Sequence, residues 1–222
     1  MTAAVAENGE PPAGGRGTSE AMRLYNHRAS ANGHKVRLLL NQLDRPYEEV
    51  HVDIFRGESR TPAFFAKNAD GRIPVLETDD GRFIAESNAI LYYLADGTPF
   101  FPGDAAERAA ILAWLFFEQN QLEPTLGTAR YWHLTGKAAG QEQVYASKRK
   151  AAARALETLE RGLTGRTFLV GERYTIADIG LYAYTHLAGE ADFELPAAVT
   201  AWVERVEAEP RFIRGPEPYP KM

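Results

Sequence analysis

The sequence predicts two unlike domains in tandem, a small α/β unit followed by an all-helical one. Three observations carry this expectation. Before residue 97, period-two alternation and one helical apolar stripe occur in the order βαβ and then ββα. A linker rich in proline and glycine, Gly97-Thr-Pro-Phe-Phe-Pro-Gly103, comes next. Beyond it the strand signals almost vanish, and apolar residues recur at helical spacing.

Met22-Arg-Leu-Tyr-Asn26 alternates as a short strand does, and the loop His27-Arg-Ala-Ser-Ala-Asn-Gly33 follows it. Val36, Leu39, Leu40 and Leu43 stand at i, i+3, i+4 and i+7, the apolar stripe of a helix. Residues 47–52 read as a second strand, which completes a βαβ unit. Residues 56–69 are irregular or weakly helical. Arg72-Ile-Pro-Val-Leu-Glu77 reads as a strand that begins with proline. Asp79-Asp-Gly81 is a hairpin signal, and Arg82-Phe-Ile-Ala85 is the return strand. A helix over 86–95 has Ser87 near its start. This order is that of a thioredoxin-like sheet, and open α/β sheets favour a ligand site at the carboxyl ends of their strands.

In the second half, Arg108, Ile111, Trp114, Leu115, Glu118 and Leu122 predict a helix over 105–122. Ala152, Leu156, Leu159 and Leu163 predict one over 141–163. Val199, Trp202, Val203 and Val206 mark a last helix that ends before Pro210. In Tyr174-Thr-Ile-Ala-Asp-Ile179, Thr175 is spaced as an N-cap and Asp178 as its reciprocal partner. Tyr174 and Ile179 are spaced as a hydrophobic staple. That motif starts a buried helix and carries no chemistry of its own. The expected organisation is a flexible tail at 1–21, an α/β domain at 22–96, a linker at 97–104, a helical domain at 105–215 and a tail at 216–222.

Composition narrows the function. The chain has 222 residues, 45% hydrophobic and 25% charged, with a net charge of −5. No basic cluster points to nucleic acid, and no polybasic helix points to an anionic membrane. No apolar run is long enough to span a bilayer. The first 21 residues have neither the basic start nor the apolar segment of a signal peptide. There is no cysteine, which removes disulfides, a protein thiolate nucleophile and cysteine-built zinc sites. Thiol chemistry here needs a thiol brought by a ligand, and a reducing, cytoplasmic setting fits.

Four segments in register resemble the cytosolic glutathione transferases: Arg72-Ile-Pro-Val-Leu, Ala85-Glu-Ser-Asn-Ala-Ile-Leu-Tyr-Tyr-Leu, Phe168-Leu-Val-Gly-Glu-Arg-Tyr-Thr-Ile-Ala-Asp-Ile, and the strand, loop and helix over 25–40. Within that family, Ser30-Ala-Asn-Gly-His-Lys-Val36 resembles the bacterial nu class, which has Thr-Pro-Asn-Gly-His-Lys here. That class uses no catalytic cysteine and is linked with glutathione-dependent disulfide reduction. Ser30 and Ala31 replace its threonine and proline. The resemblance implies a glutathione transferase or disulfide-bond oxidoreductase. Glutathione is its co-substrate, the second substrate is a small electrophile or disulfide, and no metal takes part. It also implies a homodimer joining the first domain of one chain to the helical domain of the other. The rival from another class is a non-catalytic glutathione- or ligand-binding protein of the same fold.

The resemblance assigns Ser30 and Asn32 to the thiol. Ile73 and cis Pro74 would pair with the cysteinyl backbone, Glu86 and Ser87 would take the γ-glutamyl end, and Arg72 would take the glycyl carboxylate. Each residue also has a plain structural reading. Ser30 or Asn32 caps the helix at Gly33, Pro74 opens an edge strand, Ser87 caps a helix, and a loop arginine is solvated. Arg56 and Arg60 are further cations without an assignment. Tyr25 is a rival thiol donor that reads equally as core. His27, His34, His51, His133 and His186 show no metal-ligand spacing. Tyr131-Trp132-His133 lies where the family lines its electrophile site, and reads equally as a packed aromatic cluster.

Overall fold

A computed structural model describes residues 21–219. The tail expected at 1–21 lies, but for Ala21, outside the described residues, as do the last three residues. Strand β1 (Met22–Asn26), helix α1 (Ala31–Gln42) and strand β2 (Tyr47–His51) form the expected βαβ unit, with β1 and β2 parallel from Met22↔Tyr47 to Asn26↔His51. Two short 3-10 turns, Ile54–Arg56 and Glu58–Arg60, and the single turn α2 (Pro62–Phe65) fill the irregular stretch. Strand β3 (Val75–Glu77) runs antiparallel to β1, and β4 (Phe83–Ala85) antiparallel to β3. The elements follow the expected βαβ then ββα succession, their strands lie in the order β2-β1-β3-β4, and α3 (Ser87–Ala95) closes the unit. Pairing in β3 begins at Val75 rather than at Arg72, because Pro74 has no N–H to give a ladder. The Ile73–Pro74 bond is cis.

The helical domain departs from expectation at one place. The helix expected to stop at Leu122 continues as α4 (Ala105–Phe117), a wide π-type stretch (Glu118–Gly127) and α5 (Thr128–Thr135). Pro124 lies inside that stretch. It cannot donate to a regular ladder, and the turns around it widen instead of breaking. Helices α6 (Glu142–Leu163), α7 (Ile176–Thr185) and α8 (Ala197–Glu207) complete the domain.

The two domains share one apolar core. Leu39, Ile90 and Leu91 from the sheet side pack in the same cluster as Leu115, Ile179 and Trp202 from the helical side, all of them buried. Helix α7 is its axis and touches α1, α3 and α4. Its start is held as the sequence predicts. Thr175 Oγ1 accepts from Ala177 N at 3.2 Å, and Asp178 Oδ2 accepts from Thr175 N at 2.9 Å. Asp178 Oδ1 also accepts from Leu169 N at 3.0 Å and Trp202 Nε1 at 2.9 Å. Burial pushes this carboxyl up to about 6, while those donors pull it down.

The described part of the segment expected as a tail is packed. After α8 the chain runs back over both domains. His186 Nε2 lies 2.7 Å from Gly215 O, and Glu217 N donates to Arg28 O at 3.0 Å. The Tyr219 ring meets Phe55 edge-on at 6.1 Å and Tyr131 at 5.8 Å.

Candidate functional site

The loop from β1 delivers Ser30 to the start of α1. Its extended backbone and its Oγ, which accepts from Gly33 N at 3.1 Å, make it the N-cap. Gly33 allows the helix to start this close to the sheet, since a Cβ there would lie 1.7 Å from Asn26 Oδ1. The cap bond uses a lone pair of Ser30 and leaves its proton free to donate. Capping and ligand contact are therefore compatible at this residue.

Ser30 lines a cleft of about 360 Å³ together with Arg72, Ile73, Tyr131, Tyr184 and Tyr219. Ile73 lies outside the β1–β3 ladder, and its backbone makes no turn or loop bond among the described residues. A peptide-like ligand could pair with it. A neighbouring cleft of about 440 Å³ shares Arg72 and the three tyrosines and adds Glu123 and Trp132. Tyr184 reaches this space because the residue before α5 is Gly127, where a Cβ would stand 2.7 Å from the tyrosine ring. Burial raises the phenol pKa of both Tyr184 and Tyr219. Both are O–H donors at neutral pH.

Asn32 and Ser87 meet beside this cleft. Ser87 Oγ donates to Asn32 Oδ1 at 3.2 Å, and Asn32 Nδ2 donates to Glu123 Oε1 at 2.8 Å. Ser87 is buried at the first position of α3. Its only proton is committed to Asn32, so a carboxylate arriving here meets the free N–H groups of the first turn of α3. The preceding residue, Glu86, has φ 68° and ψ 116°. Such a backbone is costly for a residue with a Cβ, and it clusters at functional turns. The Glu86 side chain is exposed and has no partner among the described residues.

Of the cations, Arg72 is 70% exposed and pairs with Asp70 at 2.7 Å at the cleft wall. Arg60 lines the same cleft, held by Asp70 O at 2.8 Å. Arg56 is 85% exposed and faces Asp53 instead. Tyr25 does not join the site. Its hydroxyl donates to Glu77 Oε2 at 2.7 Å, and burial and that carboxylate raise its pKa. Of the aromatic triplet, Tyr131 and Trp132 line the clefts, while His133 sits near Asp192 at 3.6 Å. Among the described residues, no three His, Asp or Glu side chains gather as a metal site.

Glu123, Tyr184, Tyr219 and the buried Lys35 were not foreseen. Tyr184 reads as one more apolar position of a core helix, and Tyr219 lies in the stretch expected as a tail. Lys35 stands in the segment quoted for the resemblance, but nothing in its spacing says that its charge is buried.

A family model described as Glutathione S-transferase, N-terminal domain, matches residues 20–96, and one described as Glutathione S-transferase, C-terminal domain, matches residues 109–210. The Escherichia coli (strain K12) Disulfide-bond oxidoreductase YfcG is 33% identical over 190 residues, covering 81% of this chain and 87% of that protein. A glutathione S-transferase structure from Pseudomonas fluorescens [Pf-5] superposes with a TM-score of 0.86 at 42% identity, over 88% of this chain and 98% of that one. The Transcriptional regulator URE2 of Saccharomyces cerevisiae is 29% identical over 239 residues, covering 88% of this chain and 68% of that protein. The structure of Ure2p in complex with glutathione superposes with a TM-score of 0.80 at 26% identity, over 88% and 98% of the two chains. With two domain models in tandem over a matching fold, the chain belongs to the glutathione S-transferase family.

Proposed function

We propose that this protein binds glutathione in the Ser30–Ile73–Arg72 cleft and stabilises its thiolate for attack on a disulfide or an electrophilic carbon. The observation that carries the reading is Ser30, whose proton is left free by its cap bond and which shares a cleft with the unladdered backbone of Ile73. In this reading Ile73 pairs with the cysteinyl backbone, and Arg72 faces the glycyl carboxylate. The first turn of α3 at Ser87 takes the α-carboxylate, and Glu86 takes the ammonium. Asn32 Nδ2 has a second hydrogen for the sulfur.

The energies suffice. A free thiol has a pKa of about 8.5, and lowering it by two units needs about 2.7 kcal/mol of selective stabilisation. One hydrogen bond to a charged group supplies about 1.5–3 kcal/mol, and the α1 terminus adds roughly 0.3–1 kcal/mol. The thiolate then attacks one sulfur of a disulfide and expels the other as a thiolate. A second glutathione resolves the mixed disulfide. Both thiols come from glutathione, as a chain without cysteine requires.

The resemblance of the Ser30–Val36 loop to the nu class and the similarity to YfcG support disulfide reduction as the activity. The similarity to URE2, a transcriptional regulator, favours the second reading, glutathione binding without turnover. The decisive measurement is thiolate absorbance of bound glutathione against pH in the parent protein, Ser30→Ala, Asn32→Ala and the double variant. A parent thiol pKa well below 8.5 that rises in both single variants, slightly more for Ser30→Ala, supports the enzyme. Binding with an unshifted thiol supports the second reading.

The same proposal includes a homodimer. Phe65, Phe83 and Tyr92 on the first domain and Phe116 on α4 are exposed apolar side chains, 37–64% accessible, that a partner could cover. A monomer mass by light scattering at micromolar concentration rejects it. A reducing, cytoplasmic setting belongs to the reading, supported by the cysteine-free chain. No described helix is long and apolar enough to cross a membrane.

A further inference from the structure

We propose that Lys35 is a positioning residue for the thiol site, its buried ammonium setting the orientation of the Asn32 amide through Ser87. The inference rests on the glutathione reading for its consequence, but not for its geometry.

Lys35 and Glu118 are both fully buried, and Nζ lies 2.9 Å from Glu118 Oε1. The lysine comes from α1 and the glutamate from the π-type stretch, so the pair crosses the domain boundary. Nζ also lies 3.4 Å from Ser87 Oγ and 5.6 Å from the centre of the Tyr184 ring. An ammonium donates and never accepts. Ser87 Oγ must therefore accept from Lys35, and its one proton points away from the ammonium, onto Asn32 Oδ1 at 3.2 Å.

That proton decides which way the Asn32 amide faces. Asn32 and Lys35 are three residues apart on α1 and share a helix face. With Oδ1 turned to Ser87, Nδ2 is turned to Glu123 Oε1 at 2.8 Å. The reverse orientation sets Oδ1 against the Glu123 carboxylate and leaves the Ser87 proton without its acceptor. Glu123 is held in turn by Gln119 Nε2 at 2.6 Å and by the Tyr184 hydroxyl at 3.4 Å. Glu118 is held by Asn88 Nδ2 at 3.0 Å and Gln119 Nε2 at 2.8 Å. Two carboxylates of the helical domain thus frame a lysine, a serine and an asparagine of the sheet domain. Without the ammonium, nothing fixes the direction of the Ser87 proton, and the hold on Asn32 is lost.

The test uses Lys35→Met/Glu118→Met, which removes both charges together and replaces them with apolar side chains of similar length, a change buried ion pairs often tolerate. Three readings are taken: the thermal midpoint, the pH titration of bound-glutathione thiolate, and the Asn32 side-chain NH2 resonances of the ligand-free protein. The expected result is a folded protein whose bound thiol pKa is raised by about one unit, roughly a tenfold fall in its ionisation constant. Its Asn32 amide pair loses its distinct shifts and exchange protection. Ser87→Ala, which keeps the ion pair, should change the Asn32 amide in the same way, and it decides the matter if the double variant does not fold. An unchanged Asn32 amide in the folded variants overturns the inference, as does an unchanged thiol titration with only the midpoint lowered. If the parent protein shows no heat with glutathione by calorimetry, the glutathione reading fails, and the Asn32 amide alone decides the geometry.

Discussion

Asp178 and Glu118 are both carboxylates with no exposure to solvent, and they are held in opposite ways. Asp178 is surrounded by neutral donors, Thr175 N, Leu169 N and Trp202 Nε1, two of them from its own stretch of chain. Glu118 faces a formal charge, Lys35, brought from the other domain. Neutral dipoles around a local motif fix the start of one helix and serve folding. A charge pair across a boundary fixes how two domains meet, and here it lies behind the residues read as the glutathione site. The comparison teaches that burial alone does not separate a structural carboxylate from one tied to a site; the origin of its partners does.

The largest effect is expected where the local network is cut. Asp178→Ala leaves two backbone N–H groups and the Trp202 indole N–H buried without partners. It should cost about 5 kcal/mol in denaturant unfolding, at roughly 1–3 kcal/mol for each lost partner. Glutathione affinity of the protein that remains folded should not change, and a large loss would erase the distinction between the two carboxylates. Next comes Lys35→Met alone, which strands Glu118 as an unpaired buried charge and should cost about 3–4 kcal/mol. Lys35→Met/Glu118→Met should recover most of that stability without recovering the thiol pKa. Recovery of both would make the pair purely structural.

A smaller effect comes with pH. His34 is fully buried with neither ring nitrogen paired among the described residues. Burial lowers its pKa from 6.5 to about 3, with His186 and Arg37 adding to the shift. A depressed base contributes stability that is full above its unfolded pKa and is lost as pH falls toward its folded one. Between pH 7 and pH 5 that loss is about 2 kcal/mol. Asp178 runs the other way, since an acid raised to about 6 gains relative stability as pH falls through the same range. His34→Leu should remove its share of the acid-side loss, leaving the smaller share of the neighbouring His186, whose pKa burial also lowers, and the opposing Asp178 trend, read by urea unfolding at pH 5, 6 and 7. Parallel stability curves for the two proteins would reject the assignment. Smallest is Tyr219→Ala, outside both networks. Stability should change by less than about 1 kcal/mol, and the KM for a disulfide should rise about threefold to tenfold, the worth of one or two aromatic contacts. An unchanged KM would remove the C-terminal segment from the site.

The legible parts of the molecule are those whose cause is local. The alternation of Met22–Asn26, the 3.6-residue stripe of α1 and the Asp79-Asp-Gly81 turn predict the sheet, because side-chain period and turn chemistry act over a few residues. Thr175 and Asp178 predict the start of α7 for the same reason. The continuation of the helical path past Leu122, through the π-type stretch into α5, was not legible. Proline usually ends a helix, and only packing of the wide turns against α6 and α7 holds Pro124 inside one. Ser30, Arg72 and Ile73 could be named from the resemblance, and the structure brings them to one cleft. Tyr184 could not, because an aromatic residue on a buried helix reads as core whether or not its edge reaches a cavity.

By itself the sequence determined the two-domain order, the cap and turn positions, the absence of a protein thiol and the family. Each of these depends on residue types within reach of one another along the chain. Only the tertiary structure decided that Lys35 and Glu118 lose all contact with solvent, that Ser87 and Asn32 exchange a hydrogen bond, and that residues 212–219 return to wall the cleft with Tyr219. These contacts join segments far apart in sequence. Which donor meets which acceptor was settled when the shared core around α7 brought the two domains together.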